Sequence, residues 1–246
     1  MDGVYRSQVD AAEPQNAAAV GKPLRVRDAA TLILLDRSGS DIRVLMGKRH
    51  ERHAFMPGKF VFPGGRTDPG DGRVAVAEGL DPREYAKLAA TYARPSAIRA
   101  RAIAMSAIRE TYEEAGLLIG RNSPFETAKA EWQGFAEHNV HPSLEQLRFV
   151  ARAITPPGRT RRFDTRFLAA WREAVALELP EGGPTNELQE LVWLPIAEAK
   201  EADIPNITRT ILNDLQQRLA IDPGLEPGGT VPCYRMVRNR FVRSLV

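Results

Sequence analysis

The stretch RETYEEAG (109–116) decides how this chain is read. On a helix, Glu110, Glu113 and Glu114 stand at i, i+3 and i+4, so their carboxylates share one face and repel. Each like-charged pair costs about 0.2–0.5 kcal/mol. They also crowd the last turn before Gly116, a residue suited to ending a helix, where the helix macrodipole favours cations. Upstream, Ser96 suits an N-cap, and Ile98, Ala102, Met105, Ile108, Tyr112 and Ala115 recur at helical spacing. The pattern predicts one helix over residues 96–115, with Glu110 and Glu114 turned away from its apolar stripe. Arg109 can pair with Glu113 at i, i+4, whereas Glu110 and Glu114 have no local cation. A divalent metal would supply one, because hard cations take carboxylate oxygens and keep room for water and phosphate.

Working outward, VRDAATLILLD (26–36) and IRVLMGKR (42–49) read as a hairpin across the turn signal RSGSD. KFVFPGG (59–65) reads as a short third strand, stopped by Pro63 and two glycines that let the backbone approach a ligand closely. REYAKLAATY (83–92) follows Asp81 and Pro82 as a short helix. Downstream, EQLRFVARAITP and RRFDTRFLAAW read as strands and ELQELVWLP as another. IAEAKEA and TRTILNDLQQRLA read as helices, and GTVPCYRMVRNRFVRSLV as a terminal hairpin. The sum is a mixed sheet with helices packed around it, in an α/β or α+β arrangement. Residues 1–24 are polar, Ala-rich and aperiodic, so they are expected to be loose or draped over the surface, ahead of a single domain over 25–246.

The 246 residues, 43% hydrophobic and 26% charged, suit a globular chain. No apolar run approaches the roughly 18 residues of a membrane span, and no signal-peptide core is present, so a cytoplasmic location without a membrane partner is expected. Cys233 is the single cysteine, which excludes a disulfide framework and a cysteine-based zinc site. The histidines His50, His53, His138 and His141 lack zinc-ligand spacing. The net charge of +3 is assigned to composition, since 28 of the 34 basic residues are Arg scattered along the chain, so a nucleic-acid partner is not expected. The RTRRFDTR cluster (159–166) reads as a solvated hairpin rather than a phosphate clamp.

Taken together, FPGG and RETYEEAG resemble the signature of the Nudix hydrolases: a Gly, five residues, Glu, seven residues, then Arg-Glu-aliphatic-x-Glu-Glu-x-Gly-aliphatic. Gly65 matches the first Gly, and Asp71 stands in the place of the first Glu. Arg109, Glu110, Glu113, Glu114, Gly116 and Leu117 match the second half, with Thr111 in an aliphatic place. Between Asp71 and Arg109 lie 37 residues instead of seven, so the motif is split by an insertion over about 72–95. RHERHAFMPGKFVFPGG (49–65) with a split motif is similar to the coenzyme A diphosphatase branch. Its signature is met at Leu45, Arg49, Gly58 and residues 62–65, and departed from at Met46, His50 and Ala54.

The resemblance implies an α/β/α sandwich with a mixed central sheet and a helical insertion within the motif. It implies metal-dependent hydrolysis of a phosphoanhydride in a nucleoside diphosphate linked to another moiety, with Mg²⁺ or Mn²⁺ as cofactor. Glu110 and Glu114 would be metal ligands, joined by the Gly65 carbonyl, and Glu113 a shared ligand or water-holding base. Arg109 would orient the carboxylates. Glu187, before the strand carrying Trp193, would add a further ligand or base. Arg49, at the end of the second strand, is a candidate phosphate contact by its chemistry, the alternative being an edge Arg whose head reaches solvent, and Arg52, Phe62 and Gly64 join it as candidate substrate contacts. Coenzyme A or its thioesters lead as substrates; a dinucleotide, nucleotide sugar or damaged nucleotide is the alternative, and a non-catalytic ligand-binding module is a third reading. The insertion is expected outside the catalytic core, shaping substrate access or a homodimer contact.

Overall fold

The computed structural model describes residues 2–12, 24–50, 58–185 and 187–246. In chain order the elements are α1 (Arg6–Ala12), β1 (Arg27–Asp36), β2 (Arg43–Arg49), β3 (Phe60–Val61), β4 (Gly64–Arg66), α2 (Pro82–Ala90), α3 (Ala97–Ala115) and β5 (Leu117–Asn122). There follow α4 (Gln133–Glu137), β6 (Val140–Pro142), β7 (Arg148–Ile154), β8 (Phe163–Trp171), β9 (Val175–Glu178), β10 (Leu188–Pro195), α5 (Ile196–Glu201), α6 (Asn206–Ile221), β11 (Pro232–Val237) and β12 (Arg240–Leu245).

The main sheet has the order β10-β2-β1-β8-β7-β11-β12, with β3 beside β2 and β4 beside β1. It is mixed: β1 runs parallel to β8 and β11 parallel to β7, and the other pairs are antiparallel. The expected hairpin pairs Leu35 with Val44 and Asp36 with Arg43. Strand β1 shows why the domain has three layers. Ala30, Leu32 and Leu34 enter one core with α2 and α3, while Ile33 and Leu35 enter a second with α5 and α6. Alternate residues of a strand face opposite sides, so a strand buried on both faces reads as the near-continuous apolar run seen here.

Helix α3 starts and stops as its sequence predicts. The Ser96 hydroxyl accepts from Arg99 N, and Gly116 closes the helix in the left-handed conformation with φ 70°. Its burial departs from the expected single stripe. Ala100, Ile103, Ala104 and Ala107 are fully buried, whereas Ile98 is 45% exposed, and Glu114, expected on the outward face, is only 3% exposed. The alanines let α3 sit close to β1, so the core takes more of its circumference than the bulky residues mark out. Thr111, in its aliphatic place, satisfies its hydroxyl by donating to Ala107 O at 2.8 Å.

A second sheet, β6-β5-β9, was not read from sequence; LLIGRN forms its central strand directly after Gly116. Residues 2–12 are not loose. Gly3 N donates to Phe241 O, Phe241 N to Val4 O and Arg6 N to Asn239 O, and Val9 is buried; residues 13–23 lie outside the described residues. The segment 72–95 folds back on the α3 side of the sheet. Leu88, Ala89 and Tyr92 join the core around α3, and the fully buried Glu84 accepts from Phe149 N at 2.7 Å and Gly228 N at 2.6 Å. The apolar residues that suggested docking on a second copy are therefore spent internally. Among the described residues, no helix is long and apolar enough to cross a membrane.

Candidate active site

A cavity of about 510 Å³ opens between the carboxylates of α3 and the face of the sheet opposite to it. Glu110, Glu113, Glu114, Gly64, Gly65, Phe62, Arg49 and Glu187 all line it, so sequence-predicted site residues from four segments meet at one place. Arg52 lies outside the described residues, as does His53.

The two glycines of FPGG explain how a helix can present carboxylates here. A Cβ on Gly65 would lie 2.4 Å from Glu110 Oε2, and one on Gly64 would lie 2.6 Å from Ala30 O. The close neighbour of this backbone is thus the protein's own carboxylate and strand. Gly64 N donates to Glu114 Oε2 at 3.0 Å. Gly64 lines the cavity while its amide is committed to Glu114, so it also serves the site by placing that carboxylate.

Arg109 organises the other two carboxylates. Its Nη1 lies 2.8 Å from both Glu110 Oε1 and Glu113 Oε2, so Glu110 does have a local cation, contrary to the sequence reading. Spacing rules compare residues three and four apart and pass over this adjacent contact. On its other side Arg109 Nε donates to Asp71 Oδ2 at 3.2 Å, and Trp132 Nε1 donates to Asp71 Oδ1 at 3.0 Å. Asp71 is 3% exposed. It stands where the resemblance places a Glu, and it anchors Arg109 from behind; Trp132 gave no sequence signal.

The loop before β10 completes this end. Thr185 donates to the Glu113 carbonyl through both N and Oγ1, and a Cβ on Gly183 would meet that carbonyl. This satisfies a C-terminal carbonyl of α3 and carries Glu187 to the rim of the cavity. Glu190 stays at the edge, 3.6 Å from Lys48. Arg49 ends β2 beside Glu114 and lowers its proton affinity electrostatically.

Burial dominates the electrostatics. It pushes Glu114 up to about 8 against the Gly64 amide and Arg49, and Glu110 up to about 7 against Arg109, with Glu113 and Glu187 adding repulsion. Glu113 is raised as well, again by burial and against Arg109. Three oxygen donors with raised proton affinity in one wall are suited to a hard divalent cation by their chemistry. Among the described residues they are not already gathered into a cation cage. Glu110 and Glu113 are turned to Arg109, and Glu114 to Gly64 N.

The solvated-hairpin reading of RTRRFDTR fails at two positions. Arg166 is fully buried and bonds Asp28, Asp164 O and Thr91; Arg159 is 6% exposed and lines the cavity. The far wall also takes Phe163, Phe167, Tyr234 and Phe241, which sequence reasoning assigned only to strands. None of the lining residues comes from 72–95.

No family model matches the chain. A Nudix hydrolase from Alicyclobacillus acidocaldarius superposes with TM-score 0.59 at 25% identity, over 77% of this chain and 90% of that one. A Nudix hydrolase from M. smegmatis (TM-score 0.46, 17% identity, 86% and 97% covered) and a MutT protein from Methanosarcina mazei Go1 (0.46, 12%, 81% and 98%) are also similar. With its mixed sheet between helical layers and its likeness to the Alicyclobacillus acidocaldarius protein, the chain has the fold of the Nudix hydrolases.

Proposed function

We propose that this chain is a Nudix hydrolase that cleaves a phosphoanhydride bond in a nucleoside diphosphate linked to another moiety. The observation that carries this reading is the wall of three carboxylates with raised proton affinity, Glu110, Glu113 and Glu114, the first two sharing the Arg109 guanidinium. An anionic diphosphate would be repelled by that wall unless a cation stood between them. Glu110 and Glu114, with the Gly65 carbonyl, would hold Mg²⁺ or Mn²⁺, which when bound neutralises phosphate charge and lowers the pKa of water.

The remaining roles fall to the chain's own groups. Asp71 and Trp132 fix Arg109, and Arg109 in turn fixes Glu110 and Glu113. Glu113, the most exposed of the three carboxylates, takes a proton from water or shares the cation. Glu187, coupled electrostatically to Glu110 and Glu114, is the other residue placed for that proton. Arg49 meets the phosphate beside Glu114. Water oxygen bonds to one phosphorus, the bridging P–O bond breaks, and two phosphate products leave. Coenzyme A and its thioesters lead the substrate class through the 49–65 resemblance, with dinucleotides and nucleotide sugars next.

The test is a screen of diphosphate compounds with Mg²⁺, Mn²⁺ or chelator, read by mass spectrometry. Metal-dependent cleavage that Glu110→Gln and Glu114→Gln abolish is the expected result. Cleavage that survives both substitutions would remove the assignment.

A further inference from the structure

The hydrolytic reading uses only one end of the cavity. The floor is a single row of the sheet: Ala29 and Thr31 of β1 stand beside Thr165 and Phe167 of β8, and Thr165 beside Ala153 of β7. The carboxylates enter at β4, which pairs with β1 on the opposite edge. Three strand spacings separate β4 from β7, roughly 14 Å. A diphosphate at the carboxylates therefore leaves space for a bulky group along the floor.

At that far end the lining joins apolar side chains (Ile154, Phe163, Ile207 and Phe241) to the uncharged polar Thr155, Thr208 and Tyr234, and Arg159 on the β7–β8 loop is a buried cation among them. One terminal nitrogen of Arg159 is ion-paired with Asp10 of α1. The other, Nη1, is buried and has no hydrogen-bond partner among the described residues. Asp10 is itself shared with Arg6 at 3.2 Å, so one carboxylate faces two guanidinium groups. Arg161, exposed at the rim, adds to the excess of positive charge. By contrast, both terminal nitrogens of Arg166 in the same cluster are engaged, and it does not line the cavity. A buried guanidinium with a donor left over, in a wall that offers it no second carboxylate, is completed by an oxyanion.

We propose that Arg159 binds a second anionic group of the substrate, a phosphate or a carboxylate carried on the moiety that lies along Phe163 and Phe241. The proposal rests on the carboxylate cluster being the site that receives the diphosphate.

The experiment uses the full chain with Mn²⁺ and pairs of probes that differ by one anionic group. Coenzyme A against its 3′-dephospho form and NADP⁺ against NAD⁺ test a phosphate; succinyl-coenzyme A against butyryl-coenzyme A tests a carboxylate. Both kcat/KM and calorimetric Kd are measured for the wild type, Arg159→Gln and Arg159→Lys, with thermal melts to show that each variant folds. The expected result is a preference of about tenfold or more for the charged member of at least one pair. Arg159→Gln removes that preference through KM and Kd rather than kcat, and Arg159→Lys keeps part of it. Equal affinity of the wild type for both members of every pair overturns the proposal, as does an Arg159→Gln loss that is equal on both members. Selective binding without turnover of any probe would leave Arg159 as an anion site and sink the hydrolytic reading instead.

Discussion

Replacing Glu114 by Gln should make the metal-free protein more stable at neutral and alkaline pH, by an amount that grows with pH. Glu114 is 3% exposed, and burial lifts its carboxyl from 4.5 to about 8. A carboxyl raised in the folded state binds its proton more tightly there than in the unfolded chain, so folding is favoured at low pH. That contribution is lost as pH rises from 4.5 through about 8. At 1.36 kcal/mol per pH unit, holding the group at pH 7 costs roughly 3 kcal/mol relative to pH 4.5. Gln has no such cost, and its amide oxygen can still accept from Gly64 N. Its amide hydrogens bring a desolvation penalty of about 1–3 kcal/mol. The variant should therefore lie near or slightly below wild type at pH 5 and about 1–3 kcal/mol above it at pH 8, where the cost to wild type reaches roughly 4 kcal/mol. Urea titrations from pH 5 to 8.5 in chelator give the comparison. Added Mn²⁺ should stabilise wild type at pH 7.5 and stabilise the variant far less. A stability difference that does not change with pH would refute the burial argument, whatever happened to turnover.

Four further substitutions separate the site from its scaffold. Asp71→Asn turns an amide toward Arg109 and breaks a buried pair, so it should cost about 2–4 kcal/mol in denaturant melts and slow turnover; wild-type stability would show that Asp71 is not an anchor. Gly65→Ala places a methyl against the flexible end of Glu110, whereas Gly64→Ala meets the Ala30 and Thr31 backbone. The first should depress kcat far more than Tm, the second should lower both, and the reverse ordering would contradict the site geometry. Glu84→Ala leaves Phe149 N and Gly228 N without their acceptor, a loss of about 2–5 kcal/mol by urea titration, with metal affinity by calorimetry unchanged. A changed metal affinity would tie the 72–95 segment to the site.

Much of this architecture is written locally. The apolar run of β1, the cap residues Ser96 and Gly116, and the turn between β1 and β2 act through neighbours in sequence, so composition and punctuation disclose them. The three glutamates and the FPGG glycines disclose the site for the same reason: like charges on one helix turn and paired glycines are costly unless something meets them. What meets them is not local. Glu114 is answered by Gly64 N, Arg109 by Asp71 and Trp132, and the helix end by Thr185, each partner drawn from another segment. The β5-centred sheet and the depth of Arg159 likewise depend on which strands become neighbours. Burial is a property of the assembled layers, and it is burial that turns an arginine of a cluster that reads as solvated into a cation in the wall of a cavity.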